Sequence, residues 1–197
     1  MSKTKNNGLT DDDVGFNGIY LNKYRDDENL HWTPITVIKK AILWLNCSSE
    51  SNVLDIGSGV GKFCIIGSLI SKGKFTGVEK REDLIKESNR IKKHLNLKDI
   101  SFNHRNITEI NFQDYSAFYF YNPFCDHQIG FNQIDNKLNL SKKKSELYEN
   151  YVRQQLDLMP KGTRIVTYYS EYFELPTSYF AKDIAFKGTL VLWEKKT

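Results

Sequence analysis

The stretch "VLDIGSGVGKF", residues 53–63, constrains this chain more than any other. A short apolar run ends in three alternating glycines, Gly57, Gly59 and Gly61, and an apolar helical pattern follows. Glycine lets a backbone turn sharply, lets a ligand approach closely, and exposes the amides of a helix N-terminus. A strand, a tight turn and a helix in succession open a βαβ unit, and a fold that repeats such units needs a parallel sheet.

The remaining pattern supplies the repeats. Residues 52–56, 74–79, 100–102, 117–121 and 164–169 read as strands, with helices expected over 61–71, 83–95 and 141–158. A first helix is expected over 34–46, opened by the hydroxyl of Thr33 and by Pro34 at its first position. Residues 180–186 and 189–193, joined at Lys187-Gly188, read as a hairpin. The expectation is therefore an α/β fold: a Rossmann-like, seven-stranded, mostly parallel sheet with helices on both faces and a C-terminal antiparallel β-hairpin. Residues 1–30 read as a polar tail and lead-in, and 31–197 as one domain. In such a sheet ligands bind beyond the carboxyl ends of the strands, where the strand order reverses.

Two acids qualify the glycine loop. Asp55 stands two residues before Gly57, inside the strand end. Glu79 closes the next strand, 22 residues after Gly57, where a carboxylate can accept both hydroxyls of a ribose. The dinucleotide fingerprint G-x-G-x-x-G needs a third glycine at position 62, which is Lys62. No G-x-x-x-x-G-K-[ST] occurs, which excludes a P-loop. An acid beside the loop suits a cationic amino group better than a pyrophosphate.

These residues resemble motif I of class I S-adenosylmethionine-dependent methyltransferases. The resemblance extends over about residues 31–194, because the element order fits as well. It implies that Asp55 and the loop of Gly57, Ser58, Gly59 and Gly61 contact the methionine part of S-adenosylmethionine, with Glu79 on the ribose. Lys80 stands where the family often places an apolar residue over adenine, and its aliphatic stem can serve. Asn106, in "HRNITEI", matches the place of an acid that meets the adenine amine; a turn role fits it equally.

The fourth strand, "FYFY", runs into Asn122-Pro123-Phe124. Asn122-Pro123-Phe124 resembles the (Asp/Asn)-Pro-Pro-(Tyr/Phe) signature of amino-group methyltransferases, one proline short. A single-proline form at this place resembles small bacterial class I methyltransferases related to the non-SET lysine methyltransferases. "HWTPITVIKKAI" resembles their segment before motif I, where a Thr-Pro loop carrying Thr33 lies over the cofactor. The resemblance implies that Asn122, Pro123 and Phe124 position a nitrogen acceptor. The Asn122 amide oxygen and the Pro123 carbonyl would accept the amine's hydrogens, and Phe124 would stack on it or face the developing cation. A strand terminator with a capping amide is the bland alternative.

Composition limits the partners. The net charge of +4, from 28 basic and 24 acidic side chains, permits an anionic partner without demanding one. The resemblance implies a protein amine as acceptor ahead of a nucleic-acid base, which lacks the support of a strong basic surface, with a cofactor-binding chain that lacks catalysis as a further alternative. Cys47, Cys64 and Cys125 form no disulfide framework and suit a reducing, cytoplasmic compartment. Cys125-x-His127 lacks a second pair of ligands, so no metal is expected. No apolar run approaches the ~18 residues that would cross a bilayer, and no membrane is expected as a partner.

Overall fold

The computed structural model describes residues 8–25, 31–122, 142–170 and 173–196. Seven strands form one sheet: β1 (Asn52–Ile56), β2 (Lys74–Glu79), β3 (Ile100–His104), β4 (Ala117–Tyr121), β5 (Arg164–Tyr168), β6 (Tyr179–Ala185) and β7 (Leu190–Lys195). Their order is β3-β2-β1-β4-β5-β7-β6. The first five pair in parallel, and β7 runs antiparallel to both β5 and β6. The order reverses between β1 and β4, which opens the crevice where this architecture binds ligands. This is the Rossmann-like sheet with its terminal hairpin.

Five helices are described: α1 (Asp13–Asn17), α2 (Ile35–Leu45), α3 (Lys62–Ile70), α4 (Glu82–His94) and α5 (Lys142–Asp157). Side chains alternate across each strand, so the central strands contribute to two cores. In β1, Val53 packs with α1 to α4 on one face, while Leu54 and Ile56 pack with α5 and the turns around 107–112 on the other. In β4 the same alternation sends Tyr119 to the first core and Phe118 and Phe120 to the second.

The lead-in segment is more than a polar tail. Phe16 and Tyr20 are buried in the first core, and the edge of Tyr20 meets Trp32 with centroids 4.6 Å apart. Asp12 caps α1 by accepting from Gly15 N–H at 2.7 Å. Asp13, the first residue of α1, accepts from Ile35 N–H at 3.1 Å and so caps α2. Thr33, expected to cap that helix, instead shares a 2.7 Å hydrogen bond with the buried hydroxyl of Tyr119. The cap comes from a partner 22 residues away, and the local hydroxyl is released to tie the loop to β4. Among the described residues no helix is long and apolar enough to cross a membrane.

Candidate functional site

The loop after β1 makes three left-handed turns, with φ of 75° at Gly57, 54° at Gly59 and 79° at Gly61. The loop is pinned to the end of β2. Gly57 and Ser58 N–H both donate to the Val78 carbonyl at 3.0 Å, and Gly59 N–H donates to Glu79 Oε2 at 3.1 Å. The glycines have different roles. A Cβ on Gly61 would lie 2.5 Å from the Phe102 ring, so that glycine is needed for packing. A Cβ on Gly59 would meet nothing within 4 Å, so there the backbone faces open space that a ligand can occupy. The Ser58 hydroxyl is buried without a hydrogen-bond partner, turned against Gly77, where a Cβ would come within 2.6 Å of it.

Asp55 lies under this loop and is only 3% exposed. Among the described residues its side chain accepts one hydrogen bond, from the Cys64 thiol, Sγ to Oδ2 at 3.4 Å, and has no cationic partner. Burial pushes its carboxyl up to about 7; the Cys64 hydrogen bond opposes the rise and the charge of Glu79 adds to it. A buried acid without a cation is a costly arrangement unless a charged ligand supplies one. Glu79 is buried too, and its oxygens face the loop and the chain beyond it. Lys80 and Arg81 N–H donate to Oε1 at 2.8 and 2.9 Å, and the Arg81 guanidinium adds bonds of 3.1 and 3.3 Å.

Lys62, which interrupts the dinucleotide fingerprint, is 5% exposed and forms an ion pair with Asp13 of α1. Its ammonium also stands over the Trp32 ring, 5.7 Å from the centroid. The lead-in segment is thereby fastened to the loop. Sequence reasoning missed Asp13 because a run of three aspartates reads as solvated; the signal was the lysine directly after the last glycine.

Lys80 and Asn106 come together around Tyr148 of α5, which the sequence did not single out. Lys80 Nζ donates to its hydroxyl at 3.4 Å and Asn106 Nδ2 at 2.8 Å. Asn106 Oδ1 accepts from Thr108 N–H at 3.1 Å and from the Thr108 hydroxyl at 3.2 Å, the turn role anticipated for it. Thr33 reaches the site through Tyr119, whose partner across the β1–β4 ladder is Asp55. Tyr119 stacks on Phe63 of α3 with centroids 3.8 Å apart.

Residues 47–185 match the methyltransferase domain family. The chain belongs to that family. No curated protein matches it. Solved structures share the fold of this methyltransferase at low identity. An RNA methyltransferase from Salinibacter ruber in complex with S-adenosyl-L-homocysteine aligns with a TM-score of 0.60 and 14% identity, covering 83% of this chain and 92% of that one. SMU.1697c from Streptococcus mutans in complex with SAH gives 0.56 and 16%, covering 80% and 97%. TrmN from Thermus thermophilus gives 0.61 and 12%, covering 88% of this chain and 52% of that one. The methyl donor that fits the methyltransferase loop is S-adenosylmethionine: open space at Gly59, a buried acid lacking a cation, and a second acid at the next strand end.

β4 ends at the same rim of the sheet, beside the crevice where the strand order reverses. The last rung between β1 and β4 is Ile56 with Phe120, so the glycine loop and Asn122 leave the sheet at the same end. Asn122 holds φ 38°, a left-handed conformation uncommon outside glycine and best tolerated there by asparagine. Pro123 and Phe124 lie outside the described residues, as do Cys125 and His127.

Proposed function

We propose that this methyltransferase transfers a methyl group from S-adenosylmethionine to a nitrogen acceptor, a protein lysine or a similar amine. The observation behind the reading is Asn122, held in a left-handed turn at the end of β4, at the end of the sheet where the glycine loop leaves β1. Strain of this kind collects at functional sites, and the sequence supplies an amide there.

S-adenosylmethionine supplies an electrophilic methyl on a sulfonium. The chain has to bind it, align the nucleophile and keep water out. Asp55 would face the cationic amino group from beneath the loop of Gly57, Ser58, Gly59 and Gly61. Glu79 would accept from the ribose hydroxyls. Lys80 would lay its stem along adenine, with Asn106 holding Tyr148 in place beside it, and Thr33 would brace Tyr119 under the methionine part. The Asn122 amide oxygen and the Pro123 carbonyl would accept hydrogens from the attacking amine, directing its lone pair, while Phe124 would close the site as a flat wall. A nucleic-acid base is the second reading, favoured by the fold shared with the Salinibacter ruber RNA methyltransferase. The setting proposed is cytoplasmic, where thiols such as Cys47 and Cys64 stay free.

The test uses S-adenosylmethionine carrying a tritiated methyl and extract from cells lacking the gene, divided into ribonuclease-treated and protease-treated halves. Label in protein, found after hydrolysis as methyl-lysine, is the expected result. Label confined to RNA replaces it with the second reading. Label in neither half, with S-adenosylhomocysteine still bound, reduces the chain to a cofactor-binding protein.

A further inference from the structure

Asn122 and Tyr169 are the first residues beyond β4 and β5, and both hold a left-handed backbone, φ 38° and φ 45°. The strands pair with Tyr121 opposite Tyr168, so the two strained residues are neighbours at one rim of the sheet. A single hydroxyl joins the two strand ends. Asn122 N–H donates to Ser170 Oγ at 3.1 Å, and the Ser170 hydroxyl donates to the Tyr168 carbonyl at 3.0 Å.

That hydroxyl works both as acceptor and as donor. A backbone N–H just past the last rung of a ladder needs an acceptor, and here a side chain of the neighbouring strand end provides it. The hydrogen of the same hydroxyl is spent on Tyr168, so both partners depend on one oxygen. The β5 end is itself held from the far side, where Tyr169 N–H donates to the Thr189 carbonyl at 2.9 Å. The rings of Tyr121, Tyr168 and Tyr169 pack on one another with centroids 4.9, 6.1 and 4.6 Å apart, which stiffens the same rim. Contacts of this kind hold the left-handed turn at Asn122 in one arrangement.

We infer that Ser170 is a positioning residue for methyl transfer: it fixes the turn at Asn122 from a strand end that the rest of the sheet anchors. The inference rests on the reading of Asn122 given above. Ser170 acts through the backbone of Asn122, so its removal leaves the cofactor loop untouched and loosens only the acceptor side. A misplacement of a few tenths of an ångström at that turn is felt in the rate, because alignment is what the acceptor side contributes.

The test compares Ser170→Ala, Ser170→Val and Ser170→Thr, with Asn122→Ala as reference. The probes are tritiated S-adenosylmethionine with the same cell extract for rate, S-adenosylhomocysteine for affinity, and amide hydrogen exchange at Asn122. Valine and threonine have the same shape, so packing cannot separate them; only the hydroxyl can. Ser170→Ala and Ser170→Val are expected to slow labelling about tenfold, the scale of one lost hydrogen bond, with S-adenosylhomocysteine affinity within about twofold of the parent. Ser170→Thr should recover most of the rate and keep the Asn122 amide protected, while valine exposes it to exchange. Equal rates for valine and threonine overturn the inference, and so does an affinity loss that tracks the rate loss. Should Asn122→Ala label at the parent rate, the reading of Asn122 itself falls, and the role of Ser170 falls with it.

Discussion

Asp55→Asn tests the centre of the site, because the exchange keeps shape and removes only the charge. Burial holds the Asp55 carboxyl up to about 7, against an ordinary value of 3.8. The folded chain therefore keeps a proton that the unfolded chain gives up, and stability drains away as pH rises from about 4 to about 7, then levels off. At about 1.4 kcal/mol per unit the full difference is at most about 4 kcal/mol. For a chain of this length that corresponds to a melting-temperature change of order 10 °C. The ligand-free parent should lose melting temperature between pH 5 and 7.5, and Asp55→Asn should stay nearly flat, overtaking it near neutrality. Cofactor binding should go the other way. A protonated amino group on the ligand favours the ionised carboxylate, so S-adenosylhomocysteine affinity of the parent should climb with pH, by up to about tenfold per unit below 7. The variant should bind weakly at every pH. Scanning calorimetry and titration calorimetry at four pH values measure both halves. A parent whose affinity is the same at pH 5.5 and 7.5, or a variant that binds like the parent, refutes the assignment of Asp55 to a cationic ligand group.

The two glycines should separate packing from binding. Gly61→Ala should lower the melting temperature by several degrees, since its Cβ meets the Phe102 ring. Gly59→Ala should cost only the left-handed strain, about 1–2 kcal/mol, yet weaken S-adenosylhomocysteine binding, because its Cβ enters the open space. Glu79→Gln should cost about 1.5–3 kcal/mol of cofactor affinity, the scale of charge-assisted bonds, as read by titration calorimetry. Asp13→Ala should destabilise the fold more than Lys62→Met in thermal melts, because the first removes both the ion pair and the acceptor of Ile35 N–H at the start of α2, while the second removes the ion pair alone.

The sheet was legible because its signals are local. Apolar strands such as 52–56 and 117–121, bounded by glycine, proline or polar residues, stand in the structure at the expected residues. The glycine loop was legible for the same reason: its conformation depends on which residues lack a Cβ. What stayed hidden depends on partners far along the chain. Asp13 gains its role only when Lys62 and Ile35 N–H arrive beside it. Thr33 exchanges a cap for the Tyr119 hydroxyl because that hydroxyl is buried and has to be satisfied. Tyr148 reads as one of two tyrosines on a polar helix until the fold sets it against Lys80 and Asn106. Ser170 carries no motif, and its role exists only through the register of β4 against β5.

The order of the last two strands bears on how the chain is made. β7 is synthesised after β6 yet lies between β5 and β6. As the chain leaves the ribosome, β6 has no neighbour to pair with, and the growing sheet carries a bare edge at β5 whose amides and carbonyls point outward. Unpaired edges of that sort recruit other chains, so this interval is when a nascent molecule is exposed to misassembly. A premature stop before Leu190 would produce a sheet that ends on its open edge, a product for proteases and chaperones rather than a shortened enzyme. The insertion of six residues, Leu190–Lys195, closes that edge and finds β6 its place in one step.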